Sequence, residues 1–543
     1  MDRIKKYSSK RADILGAMLF GAALLLSGIT VYLCFSDDIW YDELFTIGFA
    51  GSNIKELITM AAADVHPPLY YLIVKAALQA GSLVVGGGYE IVIAKTVSLL
   101  PWLLLFLYGA TKIRKHFGMP GAGLFTFLVS SMPQLSAYMT EMRMYGFALF
   151  FITAGMLHAY ELVRESLLTI NKKQIRNWAW VTFYSVAALY THYFAAVAAV
   201  MIYAYLLAAL IRHWWPVRGS ISLPAALKPF MVSGIVCVLL YLPWLSAVIS
   251  QVGQVSKDYW ILPLTIRSVG GCVKFLFKPA FANDFLNTVL AVVLFLVYVV
   301  LLVLAWRDYR RNKKAAKKLA NGKFFFAVAL LSVLIGVVIF GFAASFLLRP
   351  VFIYRYMLPA MGAFWLCFCI LLVREKERKY FFYPVLILLI LVGLRNYRAF
   401  YGEEMWKRVQ MEETQRGFEQ IGEEDILVFN FLHTQGVTAY YLTNQSYLMW
   451  SEPEELIRQM YPQVHGFGEL TEASDQEESQ AQQILQWLKQ GKKVWFLGSG
   501  NVREEIVADF KEQGIMAVET GSYLLERYWF NLYDLAEYHQ GTE

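Results

Sequence analysis

The stretch that decides the fold lies near the N-terminus, where a long apolar run precedes two short polar motifs. The run ILGAMLFGAALLLSGITVYLCF occupies residues 14–35, WYDELF follows at 40–45, and DVHPPLYY follows at 64–71. An uncharged run of this length crosses the ~30 Å hydrocarbon core of a bilayer as one helix. The carboxylates of the first motif therefore stand just beyond the end of a membrane helix.

The rest of the sequence repeats this apolar pattern. Of its 543 residues, 57% are hydrophobic and 17% are charged, whereas soluble domains are about 25% charged. This composition excludes an ordinary cytosolic enzyme, a disordered chain and a coiled coil. We predict about eleven membrane helices, at residues 14–35, 90–112, 119–137, 144–163, 177–191, 193–211, 229–250, 286–306, 324–347, 356–373 and 380–395.

Charged segments test this prediction, because Lys and Arg are enriched beside the cytoplasmic ends of membrane helices. Basic segments occupy residues 112–116, 164–176, 212–228, 307–323 and 374–379. With eleven spans and a cytoplasmic N-terminus, every one of these segments falls on the cytoplasmic side. We therefore expect a multi-pass plasma-membrane protein whose N-terminus is cytoplasmic and whose C-terminal domain is extracytoplasmic.

The charge balance divides the chain into two parts. Residues 1–395 carry 38 basic and 17 acidic side chains, and residues 396–543 carry 11 and 25. We predict a transmembrane domain over 1–395 and a small external α/β domain over 396–543, because apolar strand-like runs alternate with helical patterns there. The strands are predicted at 425–431, 492–500, 515–519 and 522–531, and the helices at 479–489 and 502–513.

The first external loop is predicted to be long, covering residues 36–88. Residues 69–85 form an apolar segment that contains Lys75 and Gln79. Counting this segment as a span would break the charge alternation. We therefore expect an amphipathic helix that lies at the outer membrane face. Structureless loops of such length are uncommon, and those that occur are usually functional or disordered.

Two polar motifs of this loop are candidates for chemistry. Asp42 and Glu43 are adjacent carboxylates in an aromatic setting, where a carboxylate can serve as general base; the alternative is a polar helix cap. Asp64 and His66 precede two prolines, which favour the start of a helix. A helix N-terminus attracts phosphate; the alternative is a rigid turn with Asp64 as its cap.

Further charged residues are predicted at the outer ends of later spans. The motif EMRMYG at 141–146 contains Glu141, Arg143 and Tyr145; YTHY at 190–193 contains His192; and YRYMLP at 354–359 contains Arg355 and Tyr356. Charges at membrane depth are costly and usually functional. The alternatives are structural ion pairs and side chains that extend to the interface.

The predicted location of all these groups on one side of the membrane favours a substrate with a lipid tail and a phosphate head. The cations would hold the phosphate, and a carboxylate would activate the acceptor. A transporter or lipid flippase is the alternative. Transporters favour internal repeats and polar groups at the membrane midplane, and neither feature is evident in the sequence.

The motifs YDEL and DVHPPL, in that order after one span, resemble the protein O-mannosyltransferase family. They also look like the related bacterial lipid A aminoarabinose transferases of the GT-C superfamily. EMRMY, YTHY and RYMLP are similar to segments of bacterial members. The tail has none of the trefoil repeats of eukaryotic protein mannosyltransferases, so a bacterial type is expected.

The resemblance implies a GT-C fold and an inverting transferase that uses a polyprenyl-phosphate sugar, a hexosyl or pentosyl donor, at the external face. Asp42 matches the loop carboxylate taken as catalytic base, with Glu43 beside it, and Asp64 and His66 match the second loop motif. The acceptor can be lipid, glycan or protein, and no nucleic acid partner is expected. Some GT-C enzymes use a divalent cation, but no metal or other cofactor is predicted here.

Overall fold

The computed structural model describes residues 2–35, 39–165, 167, 170–215, 224–255, 261–312, 318–442, 446–450, 477–525 and 527–538. Its helices are α1 Asp2–Cys34, α2 Tyr41–Gly51, α3 Ile54–Ala63, α4 Leu69–Val85, α5 Glu90–Tyr108, α6 Arg114–Ser131, α7 Pro133–Thr140, α8 Tyr145–Arg164, α9 Lys172–Leu189, α10 Tyr193–Trp214, α11 Leu227–Val255, α12 Ile266–Phe277, α13 Asp284–Asn312, α14 Lys318–Leu347, α15 Leu358–Arg374, α16 Lys379–Phe418, α17 Leu432–Tyr441, α18 Glu477–Lys489 and α19 Arg503–Glu512.

Two shorter helical turns and five strands complete the described elements. A π-helical turn covers Gly109–Ile113, and a 3₁₀ turn covers Tyr354–Met357. The strands are β1 Ile426–Phe429, β2 Ser446–Met449, β3 Val494–Ser499, β4 Ile515–Leu525 and β5 Tyr528–Glu537.

The predicted membrane spans all coincide with helices. Within the described ranges, nine helical segments are long and apolar enough to cross a bilayer. One of them, Glu90–Ser131, runs for 42 residues and contains the span predicted at 90–112 and most of the span predicted at 119–137, with a break near Gly118 at a positive φ of 78°. The rest of the second predicted span lies beyond the extended residue Met132, in α7. The prediction at 177–191 falls on α9. The chain is therefore a multi-pass membrane protein, and the number of eleven spans stays a prediction.

The chain forms two compact units that divide the first loop between them. The first unit comprises Met1–Tyr32, Ala61–Ile73 and Thr96–Tyr401, and the second comprises Leu33–Met60, Val74–Lys95 and Gly402–Glu543. The boundary predicted at residue 395 divides the sequence by charge and hydropathy, and it stays a prediction.

The first unit is a helical bundle in which α8 and α15 are the most enclosed spans. In both spans 94% of the most apolar window is buried. A Cβ atom on Gly362 of α15 would lie 2.0 Å from Oγ1 of Thr153 in α8, so these helices pack with little between them. Small residues at crossings are typical of membrane bundles, where packing drives association.

The crossing of α1 and α6 is tighter still and depends on two glycines. A Cβ atom on Gly123 would lie 1.8 Å from the carbonyl oxygen of Gly16, and one on Gly16 would lie 2.5 Å from the backbone of Met119. Backbone atoms cannot rotate away as a side chain would. This crossing therefore tolerates no side chain at either position without a shift of the helices.

We expect Gly16→Ala to destabilise the protein by about 1–3 kcal/mol, as other overpacked contacts do. Gly21→Ala is the matched control, because Gly21 lies in the same helix and a Cβ there would meet nothing within 4 Å. The control should be neutral or stabilising by about 0.5–1 kcal/mol, since Ala favours helix over Gly. Thermal unfolding in detergent measures both, and equal melting temperatures would contradict the proposed crossing.

The second unit contains a five-stranded sheet in the order β2-β1-β3-β5-β4. Strands β1, β2 and β3 are parallel, while β5 pairs antiparallel with β3 and β4. The core includes Val428, Phe496 and Phe510. The predicted α/β class of this domain is therefore confirmed.

Some predicted elements of this domain were wrong in extent. The strands predicted at 515–519 and 522–531 are in fact β4 and β5, which pair antiparallel over Ile515–Leu525 and Tyr528–Glu537. Strand β2 and helix α17 were not predicted. Both are short, and β2 has only four residues, too few for a periodic pattern to stand out.

The second unit also contains helix α2 from the first loop. Lys75 of α4, expected on the polar side of an amphipathic helix, is instead buried. Its Nζ donates to the carbonyl oxygens of Ser52 and Ala50, the latter at 3.4 Å. These carbonyls end α2, where the helix dipole favours a cation. The helix predicted at 69–85 is confirmed as α4, and its position relative to the membrane stays a prediction.

Candidate active site

The second loop motif forms a charged turn at the start of α4, in the first unit. The two prolines stand immediately before Leu69, as expected for a helix start. Asp64 Oδ2 lies 3.0 Å from His66 Nδ1. The N–H of Leu69 donates to the carbonyl oxygen of Tyr190 at 2.9 Å. This bond ties the turn to the junction of α9 and α10, where His192 lies.

His192 occupies the centre of this part of the bundle. It caps α10, and its Nδ1 accepts a hydrogen bond from the N–H of Phe194 at 3.1 Å. Because Nδ1 is an acceptor, the ring proton lies on Nε2 in the neutral imidazole. The ring centres of Tyr145 and Tyr356 are 5.4 Å and 5.2 Å away. The side chain therefore offers one N–H donor within an aromatic surround.

Four predicted site residues with basic side chains interact electrostatically here: His66, Arg143, His192 and Arg355. The ring of His66 lies 6.0 Å from that of His192. Burial lowers the pKa of His192 well below its usual value, and the charges of His66, Arg143 and Arg355 lower it further. Neutral His192 is thus the form present at pH 7. The cluster is electropositive without a charge on this ring.

Asp64 balances part of this positive charge. Burial raises the pKa of its carboxyl group, but the charge and hydrogen bond of His66, a backbone bond and the charge of Arg143 together lower it below its usual value. Asp64 is therefore ionised at neutral pH and poorly suited to carry a proton. Its observed partner makes it an orienting group for His66.

The first unit thus gathers most of the predicted site residues. We call this group the cationic cluster; it comprises Asp64, His66, Arg143, Tyr145, His192, Arg355 and Tyr356. Glu141 belongs to the same turn, because its carbonyl oxygen accepts from the N–H of Arg143 at 2.9 Å. Glu141 and Arg143 are both buried.

The first loop motif lies in the second unit, at the start of α2. The N–H of Trp40 donates to Glu43 Oε2 at 3.2 Å, and Glu43 is 2% exposed. Glu43 therefore holds the first turn of the helix, in accord with the capping alternative. Asp42, half-buried on the same turn, is not engaged in that bond.

A histidine from the C-terminal domain accompanies Asp42 within this unit. The ring of His433 stacks on Tyr41 with centroids 3.9 Å apart. Burial lowers the pKa of His433, and the negative charge of Asp42 opposes that effect. The guanidinium of Arg527 lies 3.6 Å above the ring of Trp40. The DE motif is thus enclosed by aromatic and basic side chains of the C-terminal domain.

Sequence reasoning missed His433 and Arg527. A signal for His433 was present, because it follows directly after the strand predicted at 425–431. Functional side chains of α/β folds gather at the carboxyl ends of strands. Arg527 had no such signal, since the turn of the β4–β5 hairpin was not recognised.

The described residues contain no group of three or more His, Cys, Asp or Glu side chains arranged to hold a metal ion. Asp42, Glu43 and Asp64 are the carboxylates of the two loop motifs. Glu43 accepts a backbone N–H and Asp64 pairs with His66.

Comparisons with known proteins identify the fold. No family model and no curated protein matches the sequence. The crystal structure of ArnT from Cupriavidus metallidurans in the apo state matches with a TM-score of 0.52 at 14% identity, over 95% of this chain and 98% of that chain. The structure of the same protein bound to undecaprenyl phosphate gives 0.52 at 12% identity with equal coverage.

These matches define the class as a polytopic membrane protein with the GT-C fold. The fold predicted from the loop motifs is confirmed over nearly the whole chain. More particularly, the chain is similar in fold to ArnT from Cupriavidus metallidurans.

We expect His192 to stay neutral well below pH 6.5. Histidine carbon NMR of the protein, whose eight His residues give few signals, should show a resonance that does not titrate between pH 8 and about pH 6. His192→Gln should remove that resonance. If the resonance that disappears in His192→Gln titrates near pH 6.5 in the wild type, the buried position of His192 among cations would be contradicted. Burial of a neutral His also predicts that stability rises with pH up to about 6.5, because the unfolded chain binds the proton more readily.

Proposed function

We propose that this protein is an inverting glycosyltransferase that moves a sugar from a polyprenyl phosphate to an acceptor at the outer membrane face. The observation that carries the proposal is the cationic cluster, in which Arg143, Arg355 and His66 lie around the neutral ring of His192 at the ends of membrane helices. The fold supports it, because the similar ArnT structure was solved bound to undecaprenyl phosphate.

The role we assign to the cationic cluster is stabilisation of the leaving group. As the bond between the anomeric carbon and the phosphate oxygen breaks, the lipid phosphate gains negative charge. Arg143 and Arg355 would neutralise it, and His192 would donate its Nε2 proton as a hydrogen bond. Donors fixed in advance at developing charge usually contribute more to catalysis than any other single effect. Phosphate is a good leaving group, so the step needs no metal ion.

We assign activation of the acceptor to the Asp42 carboxylate. Its oxygen would take the proton from an acceptor hydroxyl or amine while the acceptor atom attacks the anomeric carbon in line. One bond forms, the bond to phosphate breaks, and the configuration inverts. Glu43 fixes the first turn that presents Asp42. Glu141, Tyr145 and Tyr356 are proposed to line the donor.

The sugar, hexosyl or pentosyl, and the acceptor, whether lipid, glycan or protein, follow from the resemblance and not from the geometry. We propose the same topology as the charge pattern predicts, with the N-terminus in the cytoplasm and the C-terminal domain outside. The transporter or flippase alternative is not proposed, since no observation on the described residues favours it.

We expect Asp42→Asn to lower kcat by about a hundredfold to ten-thousandfold, the range for loss of a general base, while the donor still binds. The assay follows transfer or hydrolysis from a panel of polyprenyl-phosphate sugars by protein in nanodiscs. Asp284→Asn is the matched control, because the Asp284 side chain is 80% exposed in a surface ion pair with Lys274. Full activity of Asp42→Asn would move the base to another carboxylate.

We expect Arg355→Gln to lower kcat by about a hundredfold to a thousandfold, as loss of one charge-stabilising donor does. The effect on kcat should exceed that on KM, because the phosphate charge grows in the transition state. Arg267→Gln, at an exposed arginine of α12, serves as control. An effect confined to KM would assign Arg355 to ground-state binding instead.

A further inference from the structure

A cavity of about 810 Å³ opens at the carboxyl ends of β1 and β3 in the C-terminal domain. This is within the range of about 300–1,000 Å³ that small-molecule sites occupy. Strand β1 lies between β2 and β3, and all three are parallel. After β1 the chain forms β2 on one side of β1, and it then crosses to the other side of β1 to form β3. Ligands of open α/β sheets bind in the crevice at such a reversal of strand order.

The floor of the cavity is built by hydrogen bonds between the two strand ends. Asn430, which follows β1, donates from Nδ2 to the carbonyl oxygen of Ser499 at 2.9 Å and accepts from its N–H at 2.8 Å. Gly500 then turns the chain at φ +72°. Arg503 donates from Nη1 to the Gly500 carbonyl oxygen at 2.7 Å. The crevice is therefore a formed site whose shape precedes any ligand.

The charges of the lining favour a neutral polar ligand. Arg503 and Arg527 face the cavity together with Glu505 and Asp509, so the formal charges cancel. Helix α19 begins here with Glu504 and Glu505 in its first turn, and these carboxylates oppose the binding of an anion at its N-terminus. Ligand hydroxyl groups both donate and accept hydrogen bonds, so they can bond to neighbouring amide, guanidinium and carboxylate groups.

Aromatic side chains form the remaining wall and the rim. Phe431, Tyr528 and Trp529 line the cavity, and Trp529 is 48% exposed. Its ring lies 6.2 Å from that of Trp406, which is 47% exposed. Trp450 lines the interior at 2% exposure, and within the described chain its indole N–H has no hydrogen-bond partner. A sugar ring stacks its C–H face on a flat aromatic side chain and forms hydrogen bonds through its hydroxyl groups. The aromatic and polar side chains of this cavity offer both kinds of contact.

The aromatic wall leads to the DE motif within the same unit. The rings of Phe431 and Tyr528 lie 4.7 Å and 4.9 Å from that of His433. His433 in turn stacks on Tyr41, the neighbour of Asp42. The cavity and the proposed base are thus connected by packed side chains.

We propose that this cavity binds a sugar residue of the acceptor, which makes the acceptor a glycan or glycolipid. The assignment of the bound sugar to the acceptor rests on the function proposed above. The ligand is a neutral or near-neutral saccharide that stacks on Trp529 and bonds to Asn501, Arg503 and Glu505.

The test combines direct binding with turnover by the full-length protein in nanodiscs. Saturation-transfer NMR measures binding of mannose, galactose, N-acetylglucosamine and chitobiose. Hydrolysis of the polyprenyl-phosphate sugar panel without acceptor reports the donor reaction separately. Trp529→Ala and Asn501→Ala change exposed residues, so both variants should fold. Val518→Ala on β4 is the control, because Val518 is also 48% exposed and does not line the cavity.

We expect at least one saccharide to bind and both cavity variants to weaken it about tenfold or more, which corresponds to about 1.4 kcal/mol. Donor hydrolysis should be unchanged in the variants and in the control. Binding that survives both substitutions would overturn the proposal. Donor turnover by wild type with no saccharide bound would overturn it and leave the proposed function standing. No turnover of any donor would remove the proposed function, and the acceptor assignment would fall with it.

Discussion

The cost of holding charges among apolar helices is the constraint on which the candidate site depends. The cationic cluster places Arg143, His66 and Arg355 close enough to affect the ionisation of one imidazole. Ionisable side chains are stable at membrane depth only if they pair with an opposite charge or adopt their uncharged form. His192 responds by staying neutral, and Asp64 by staying ionised beside His66. Under the proposed function, the anionic lipid phosphate would complete this balance.

Packing in the bundle serves the same requirement. The crossing of α1 with α6 and that of α8 with α15 leave no room for side chains at Gly16, Gly123 and Gly362. Close helices exclude both lipid and water from the centre of the bundle. Arg143 and Tyr145 stand just before and at the start of α8, and Arg355 and Tyr356 just before α15. The two most enclosed spans therefore carry the charged motifs at their ends.

Hydropathy and charge were sufficient to predict the long apolar helices and the acidic α/β domain, because these follow from composition over long windows. The loop motifs were sufficient to predict the GT-C fold. The same reasoning treated residues 36–88 as one loop. The structure divides this segment, with Asp42 and Lys75 in the second unit and Asp64 in the first. Lys75 shows why: a buried lysine on helix-end carbonyls has the same sequence pattern as an amphipathic face. Contacts across long sequence distances, such as Tyr41 with His433, have no local signal.

His192 and His433 show how burial acts on a histidine under opposite neighbouring charges. Burial lowers the pKa of both rings, but His192 is surrounded by cations and His433 lies beside a carboxylate. His192 is therefore held further from protonation, and its neutral ring keeps one N–H donor. The charge of Asp42 keeps the pKa of His433 from falling as far, so this ring accepts a proton more readily.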